Sequence, residues 1–341
     1  MAKRLDKPPS VWRGVDQMKK LAILDDYQNV AMDMADWSLL DGDIEIAVFN
    51  DHLSHEDDVA ARLTEFEIVM LMRERTPFPR SLIEKLPKLE HIVSSGMRNL
   101  SIDIDAATDN GVVCTGTPSL GYPTAELTWG LIHALARNVT LEDRETRAGA
   151  WQKTVGIGLR DKVLGIMGLG RIGTDVARVG IATGMQVIAW SENLTQDRCD
   201  EVGARHVSKE ELLDQSDFLT IHLLLSDRTR GLLKAGDLAQ MKSSAYLVNT
   251  SRGPIVDEVA LIDALKNKRL AGAGLDVFDV EPLPDDHPLR NMPNTVIIPH
   301  LGYVTVENYR NWYGGTVENV RSWLDGKTIN QMSGRDPTTP G

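Results

Sequence analysis

Three residues in the second half of the chain carry side chains suited to anion and proton chemistry, and each follows an apolar, strand-like run. Arg252 stands in Asn249-Thr250-Ser251-Arg252-Gly253-Pro254, directly after Ala245–Val248. A guanidinium there can grip a carboxylate through two parallel N–H bonds; the plain alternative is a surface arginine in a weak salt bridge. Glu281 follows Leu275-Asp276-Val277-Phe278, and His300 follows Val296-Ile297-Ile298-Pro299. Histidine changes charge near neutral pH and can give or take a proton, although a lone histidine is more often structural. Ligands of open α/β sheets bind outside the carboxyl ends of the strands. Three chemically useful residues at three successive strand ends therefore point to one site.

A fourth strand end carries a different signal. In Lys162–Gly173, KVLGIMGLGRIG, an apolar run stops at Gly168-Leu169-Gly170-Arg171-Ile172-Gly173, and helix-compatible residues follow. Gly168 permits the tight turn, Gly170 lets the backbone approach a pyrophosphate, and Gly173 lets the helix pack closely on the strand. The helix N-terminus then offers unpaired N–H groups and a positive dipole end to phosphates. Alone, such a pattern is as easily an ordinary glycine-rich turn; between a strand and a helix it predicts dinucleotide binding. The next strand, Val187–Trp190, should end in an acid that binds the adenosine ribose. Ser191 stands there instead, with Glu192 one place late and Arg198 the nearest basic residue. Glu192 would repel a 2′-phosphate, so NAD is the expected cofactor and NADP the alternative.

The elements that must position these residues alternate between strand and helix patterns. Strand-like runs at Leu21–Leu24, Ile44–Phe49, Ile68–Met72, His91–Ser94 and Val112–Cys114 form a first series, with amphipathic stretches Asp57–Glu65 and Ser81–Leu86 among them. A long helical pattern from Thr124 to about Asn138 follows. A second series runs through Val163–Met167, Gln186–Trp190, Phe218–Leu223, Ala245–Val248, Gly272–Asp276 and Val296–Ile298, and a last helix spans about Thr305–Trp323. This βαβ rhythm predicts two doubly wound parallel-sheet domains.

Composition sets broad limits. A chain of 341 residues suits two domains. A net charge of −12 argues against nucleic-acid binding as the main task. The two cysteines, Cys114 and Cys199, form no C-x-x-C pair, so neither a zinc site nor a disulfide framework is indicated and a cytoplasmic setting is expected. No apolar run reaches the ~18 residues of a membrane span. Residues up to about Gln17 have basic groups without an apolar stretch behind them and read as an extension rather than a secretory signal.

The segments GLGRIG, NTSRGPIVDE, GLDVFDVEPLP and IPHLGY, in this order and spacing, resemble the D-isomer-specific 2-hydroxyacid dehydrogenase family, which includes glycerate, lactate and phosphoglycerate dehydrogenases. The resemblance runs from about Leu21 to about Trp323. It implies a flavodoxin-like catalytic domain, here residues 18–119 plus 305–330, into which a Rossmann nucleotide-binding domain, 120–304, is inserted. It also implies a homodimer built around the helix Thr124–Asn138, with Ala148-Gly149-Ala150-Trp151 resembling the family's dimer-contacting loop.

By this resemblance Arg252, Glu281 and His300 are the catalytic residues. A 2-keto acid needs its carboxylate held, its carbonyl polarised and a proton delivered to oxygen as hydride reaches C2. Arg252 serves the first two tasks and His300 the third, while Glu281 favours the protonated ring and fixes its orientation. Ser95, Gly96 and Met97 form the implied substrate loop, whose backbone N–H groups take the carboxylate. The chain departs from the common pattern at Met97, Arg98 and Tyr303, the last replacing a small residue and lining the pocket. Arg73 and Arg75 are candidates for a second anionic contact, with ordinary surface roles the plainer reading. Gly168, Gly170, Arg171, Ile172, Gly173, Ser191, His222, Thr229, Thr250, Ser251, Arg252, Asp276, His300 and Gly302 are the implied cofactor contacts, with Asp276 accepting from the nicotinamide carboxamide. The other histidines are assigned to surface or packing roles. Glu281 disfavours a formate dehydrogenase, where Gln is usual. A phosphite dehydrogenase and a nucleotide-sensing co-regulator of the same superfamily remain alternatives, because such proteins keep the same three residues.

Overall fold

The computed structural model describes residues 18–333, so the expected N-terminal extension up to Gln17 lies outside the described residues. The chain divides into two units: one runs up to Ser119 and resumes at Tyr309, and the other is Leu120–Asn308.

The first unit is built on β1 (Lys19–Ile23), β2 (Ile44–Val48), β3 (Ile68–Leu71), β4 (His91–Ser95) and β5 (Val113–Thr117). They form one parallel sheet in the order β2-β1-β3-β4-β5, the flavodoxin-like order. Alternate strand residues Ala22, Val69, Leu71, Ile92 and Cys114 pack with α1 (Glu56–Leu63), α2 (Arg80–Ile83) and α3 (Ile104–Asp109). Asp103 starts α3 by accepting the N–H of Ala106.

The second unit begins with α4 (Pro123–Arg137), which has Pro at its first position and ends where Asn138 adopts a left-handed φ of 52°. A further helix, α5 (Val139–Arg147), starts at once. Seven parallel strands follow: β6 (Val163–Met167), β7 (Gln186–Trp190), β8 (Arg205–His206), β9 (Phe218–Ile221), β10 (Tyr246–Asn249), β11 (Gly272–Leu275) and β12 (Thr295–Ile297). Their order, β12-β11-β10-β9-β6-β7-β8, reverses at β6, which is the dinucleotide-binding topology with one strand added. Connecting helices are α6 (Arg171–Ala182), α7 (Gln196–Asp200), α8 (Lys209–Gln215), α9 (Ala235–Leu238) and α10 (Glu258–Lys266); α11 (Val306–Leu324) is the last described helix, most of it in the first unit.

The β-period sorts the buried residues to the two faces of this sheet. Leu219, Ile221, Leu247 and Leu275 join Leu212, Leu238, Leu261 and Leu265 from α8, α9 and α10. Leu164, Ile166, Phe218 and Val248 join Leu131, Ile132, Val176 and Ala177 from α4 and α6 on the other face. With both faces covered, the strand ends are where function can sit.

Candidate active site

At the carboxyl end of β6 the three glycines have three different surroundings. Gly168 has φ 101°, and a Cβ there would lie 2.9 Å from the carbonyl carbon and oxygen of His222. Gly173 has its α-hydrogen where a Cβ would come within 2.1 Å of the Gly168 carbonyl oxygen. Gly170, by contrast, would meet nothing within 4 Å. It precedes α6, whose N-terminus has no side-chain cap. Turn, packing and open approach are thus divided among the glycines as the spacing requires. Beside them, Nε2 of His222 is shielded from solvent with no hydrogen-bond partner among the described residues, and burial pushes its ring down to about 3. An open backbone, an uncapped helix N-terminus and a partnerless polar atom together fit a dinucleotide.

Three turns at the far strand ends bring Arg252, Glu281 and His300 together. After β10, Asn249 closes an Asx turn: its Oδ1 accepts the Ser251 N–H at 3.0 Å and its Nδ2 donates to the Arg252 carbonyl at 2.9 Å. Nη1 of Arg252 donates to the Ser251 carbonyl at 2.7 Å, and the Thr250 hydroxyl meets that of Thr128 on α4 at 2.8 Å. Gly253 then presses on the Phe278–Asp279 peptide so closely that a Cβ would lie 2.1 Å from the Phe278 carbonyl carbon. The Arg252 turn and the Glu281 turn are therefore packed backbone to backbone.

Glu281 uses both carboxylate oxygens. Oε1 accepts the Phe278 N–H at 2.9 Å, and Oε2 lies 2.6 Å from Nδ1 of His300. Burial alone would raise this carboxyl. The His300 bond and charge, the Phe278 N–H and the Arg252 guanidinium outweigh it and hold the group below its usual range. A carboxylate on Nδ1 fixes the tautomer and leaves Nε2 of His300 as the working nitrogen. The His300 side chain is 23% exposed.

Asp276, fully buried, holds the turn that carries His300. Its Oδ1 accepts the Leu301 N–H at 2.5 Å and its Oδ2 the Gly302 N–H at 2.8 Å. The Thr124 hydroxyl donates to the Gly302 carbonyl at 3.0 Å. His300 itself sits at φ 54°, a left-handed value that a non-glycine residue keeps only under such restraint. Burial is the main reason the Asp276 carboxyl is pushed up to about 6, against the two N–H bonds and the His300 charge. Asp276 thus clamps the turn that carries His300, a role the sequence does not announce. Tyr303 packs against His300 with ring centroids 5.4 Å apart in an edge-on arrangement.

Other expected contacts differ in detail. The Thr229 hydroxyl donates to the Leu224 carbonyl at 2.6 Å and accepts the Ser226 N–H at 2.8 Å, so it serves its own loop. The Ser251 hydroxyl is bonded to the Leu223 carbonyl. Ser191 directly follows β7 and its carbonyl accepts the Leu194 N–H at 3.0 Å, while Nη2 of Arg198 donates to Thr174 in α6 at 2.9 Å. His287, assigned to the surface or packing, has its Nε2 3.0 Å from Oε1 of Glu258.

In the first unit, Ser95 belongs to β4 and is buried; its hydroxyl accepts the Arg73 N–H at 2.7 Å. The Gly96 N–H donates to the Thr117 hydroxyl at 3.3 Å, and Met97 is exposed. Arg73 has φ 54°, so the chain does not stay extended there. Its guanidinium donates to the Ser95 carbonyl at 2.9 Å and lies 5.8 Å from the Trp312 ring, whereas that of Arg75 lies over Tyr27 and donates to the Asp25 carbonyl at 2.6 Å. The two arginines thus have separate surroundings. Among the described residues no cluster of His, Cys, Asp and Glu could hold a metal ion, and no helix is long and apolar enough to cross a membrane.

Comparison with known proteins converges on one family. Residues 129–302 match the model described as D-isomer specific 2-hydroxyacid dehydrogenase, NAD binding domain. A glyoxylate reductase from Aeropyrum pernix is 42% identical over 236 residues, covering 66% of this chain and 70% of the relative. A D-3-phosphoglycerate dehydrogenase from Bacillus subtilis is 38% identical over 245 residues, 71% of this chain but 46% of that longer protein. Among solved structures, a putative D-3-phosphoglycerate dehydrogenase from Ralstonia solanacearum superposes with a TM-score of 0.87 at 37% identity, covering 92% of this chain and 96% of the other.

Proposed function

The chain belongs to the D-isomer-specific 2-hydroxyacid dehydrogenase family, NAD-dependent oxidoreductases acting on the CH–OH group of 2-hydroxy acids, and on that premise we propose that it interconverts a small D-2-hydroxy acid and its 2-keto acid with His300 as acid and base. The observation that carries this reading is the 2.6 Å pairing of His300 Nδ1 with Glu281, in a turn packed against that of Arg252.

NAD, when bound, supplies or accepts the hydride at C2. The chain's own residues do the rest. Gly168, Gly170, Arg171, Ile172 and Gly173 would hold the NAD pyrophosphate, Ser191 and His222 would serve the adenosine side, and Thr250, Ser251, Asp276 and Gly302 the nicotinamide side. Thr229 supports its loop. Arg252 binds the substrate carboxylate and draws charge from the carbonyl, a charge-assisted contact that strengthens as oxygen becomes negative. His300 delivers a proton from Nε2 to that oxygen in reduction and removes it in oxidation. Glu281 accepts from Nδ1 throughout and so keeps Nε2 on the substrate side of the ring. Tyr303 limits the pocket at His300. In the first unit, Ser95, Gly96 and Met97 are the proposed substrate loop.

A homodimer around α4 is part of the proposal, supported by the exposure of Trp151 (77%) and Val155 (96%) in the stretch after α5. A cytoplasmic location is supported by two free, buried thiols, Cys114 and Cys199.

The deciding experiment measures NADH and NADPH oxidation against glyoxylate, pyruvate, phenylpyruvate and 3-phosphohydroxypyruvate. Rapid turnover of one acid with NADH is expected. Tight nucleotide binding by calorimetry without turnover of any acid would overturn the enzyme reading and leave a nucleotide sensor.

A further inference from the structure

Glu258, the first residue of α10, holds both ends of the loop on which Glu281 stands. Its Oε2 accepts the Asp279 N–H at 3.4 Å, and its Oε1 lies 3.0 Å from Nε2 of His287. The Glu258 and His287 side chains are 18% and 15% exposed, so the pair is largely shielded. Between these ends the loop is tied by Arg290, which donates from Nε to the Pro284 carbonyl at 2.7 Å and from Nη2 to the Leu283 carbonyl at 2.5 Å. On its other side lies Gly253, pressed on the Phe278–Asp279 peptide.

Capping of α10 does not account for Glu258. That task is done by Asp257, whose Oδ1 accepts the Ala260 N–H at 3.0 Å. Nor is the charge arrangement one that a surface residue would choose. The Asp279 carboxyl is held above its usual range by burial and then by the charge of Glu258, with Arg230 and His287 opposing. Carrying a carboxylate next to another acid is costly unless its hydrogen bonds are needed. A catalytic pairing as short as that of Glu281 with His300 requires its support to be fixed to within about half an ångström. The Asp279–His287 segment has no strand or helix to supply that fixity.

We propose that Glu258 is a positioning residue: by bridging the Asp279 N–H and the His287 ring it closes this loop and sets the Glu281 carboxylate against Nδ1 of His300. Glu258 touches no reacting atom. Its catalytic consequence rests on the reading of His300 and Glu281 given above, while its structural consequence does not.

The test follows the His300 ring by NMR in protein carrying ¹³C-histidine, with the His300→Ala variant identifying the signal. Glu281→Gln removes the partner charge and so shifts the His300 titration midpoint down. Glu258→Ala is expected to shift it the same way, and to add nothing further in the Glu281→Gln background, because both act through one contact. Glu258→Gln, which can still accept from Asp279, returns the midpoint most of the way to wild type. An unshifted midpoint in Glu258→Ala overturns the proposal, as does a shift of equal size in the Glu281→Gln background. Should Glu258→Ala fail to fold, His287→Ala cuts one end of the bridge and is judged by the same comparison. Steady-state kcat/KM on the same variants separates the two readings. Coupled titrations without turnover of any 2-keto acid would sink the reaction and keep the bridge, whereas turnover with uncoupled titrations would do the reverse.

Discussion

Nδ1 of His300 lies 2.6 Å from Oε2 of Glu281, and the backbone of that histidine is left-handed, at φ 54°. The ring is thus fixed twice, by a carboxylate on one nitrogen and by a restrained turn beneath it. Replacing Glu281 with Gln keeps the shape but removes the charge. In reduction, kcat/KM should fall by about 10- to 100-fold, and its pH limb should move to lower pH, since the neutral amide favours imidazolium less. A pH profile identical to wild type would remove Glu281 from this role.

His300→Ala should lose far more, about 10²- to 10⁴-fold in kcat, because no proton reaches the carbonyl oxygen. NADH affinity by fluorescence titration should change little, since the glycine turn Gly168–Gly173, proposed to hold the pyrophosphate, follows a different strand, β6. Unimpaired turnover would give the acid–base task to another group.

Arg252 is asked to do two jobs, and its variants can tell them apart. Arg252→Ala should raise KM for the keto acid and lower kcat, each by about 10-fold or more, because charge-assisted bonds are lost in both ground and transition states. Arg252→Lys keeps the charge without the planar fork and should recover part of the affinity and little of kcat. An unaltered KM in Arg252→Ala would place the carboxylate elsewhere.

The glycines of the turn after β6 give a sharper pair. Gly173→Ala forces a Cβ to within 2.1 Å of the Gly168 carbonyl oxygen, so the helix must move off the strand. Overpacking of this kind costs about 1–3 kcal/mol or more and should lower Tm in the protein without nucleotide. Gly170→Ala meets nothing within 4 Å and should leave that Tm unchanged while weakening NADH binding. Equal thermal losses in the two variants would mean that Gly170 is a packing glycine.

Much of this was legible in the sequence because strand ends announce themselves. An apolar run broken by glycine, or by a polar turn, located Gly168, Arg252, Glu281 and His300 without any knowledge of contacts. The fold class followed from the same alternation. What stayed hidden depends on the path of the chain between those points. Helix α5 buries no residue, so it has no apolar stripe to read. Strand β8 is two residues long. The left-handed turn at Arg73, which sends Arg73 and Arg75 to different partners, has no glycine to mark it. Gly253 and Glu258 gain their meaning from segments more than twenty residues away, and a single sequence carries no trace of that proximity. Asp276 was visible as a strand-end acid, but its two N–H partners at Leu301 and Gly302 were not.

His91 offers a test of the first unit alone. It is fully buried, its Nε2 lies 2.9 Å from the Thr115 hydroxyl, its ring packs on Trp323 at 5.1 Å, and Nδ1 has no partner among the described residues. Burial pushes this histidine from 6.5 down to about 4. Because the folded value is the lower one, the unfolded chain takes up a proton between these pH values that the folded chain refuses. Stability is therefore complete above pH 6.5 and drains away as the pH falls toward 4, by up to about 3 kcal/mol for a shift of this size. His222 contributes with the same sign, its ring being pushed down to about 3. His91→Gln removes one of the two protons, so urea unfolding at pH 7 and pH 5 should show a smaller difference than in wild type. An equal pH dependence in the two proteins would mean that the His91 ring is already charged inside the fold, with an acceptor for Nδ1.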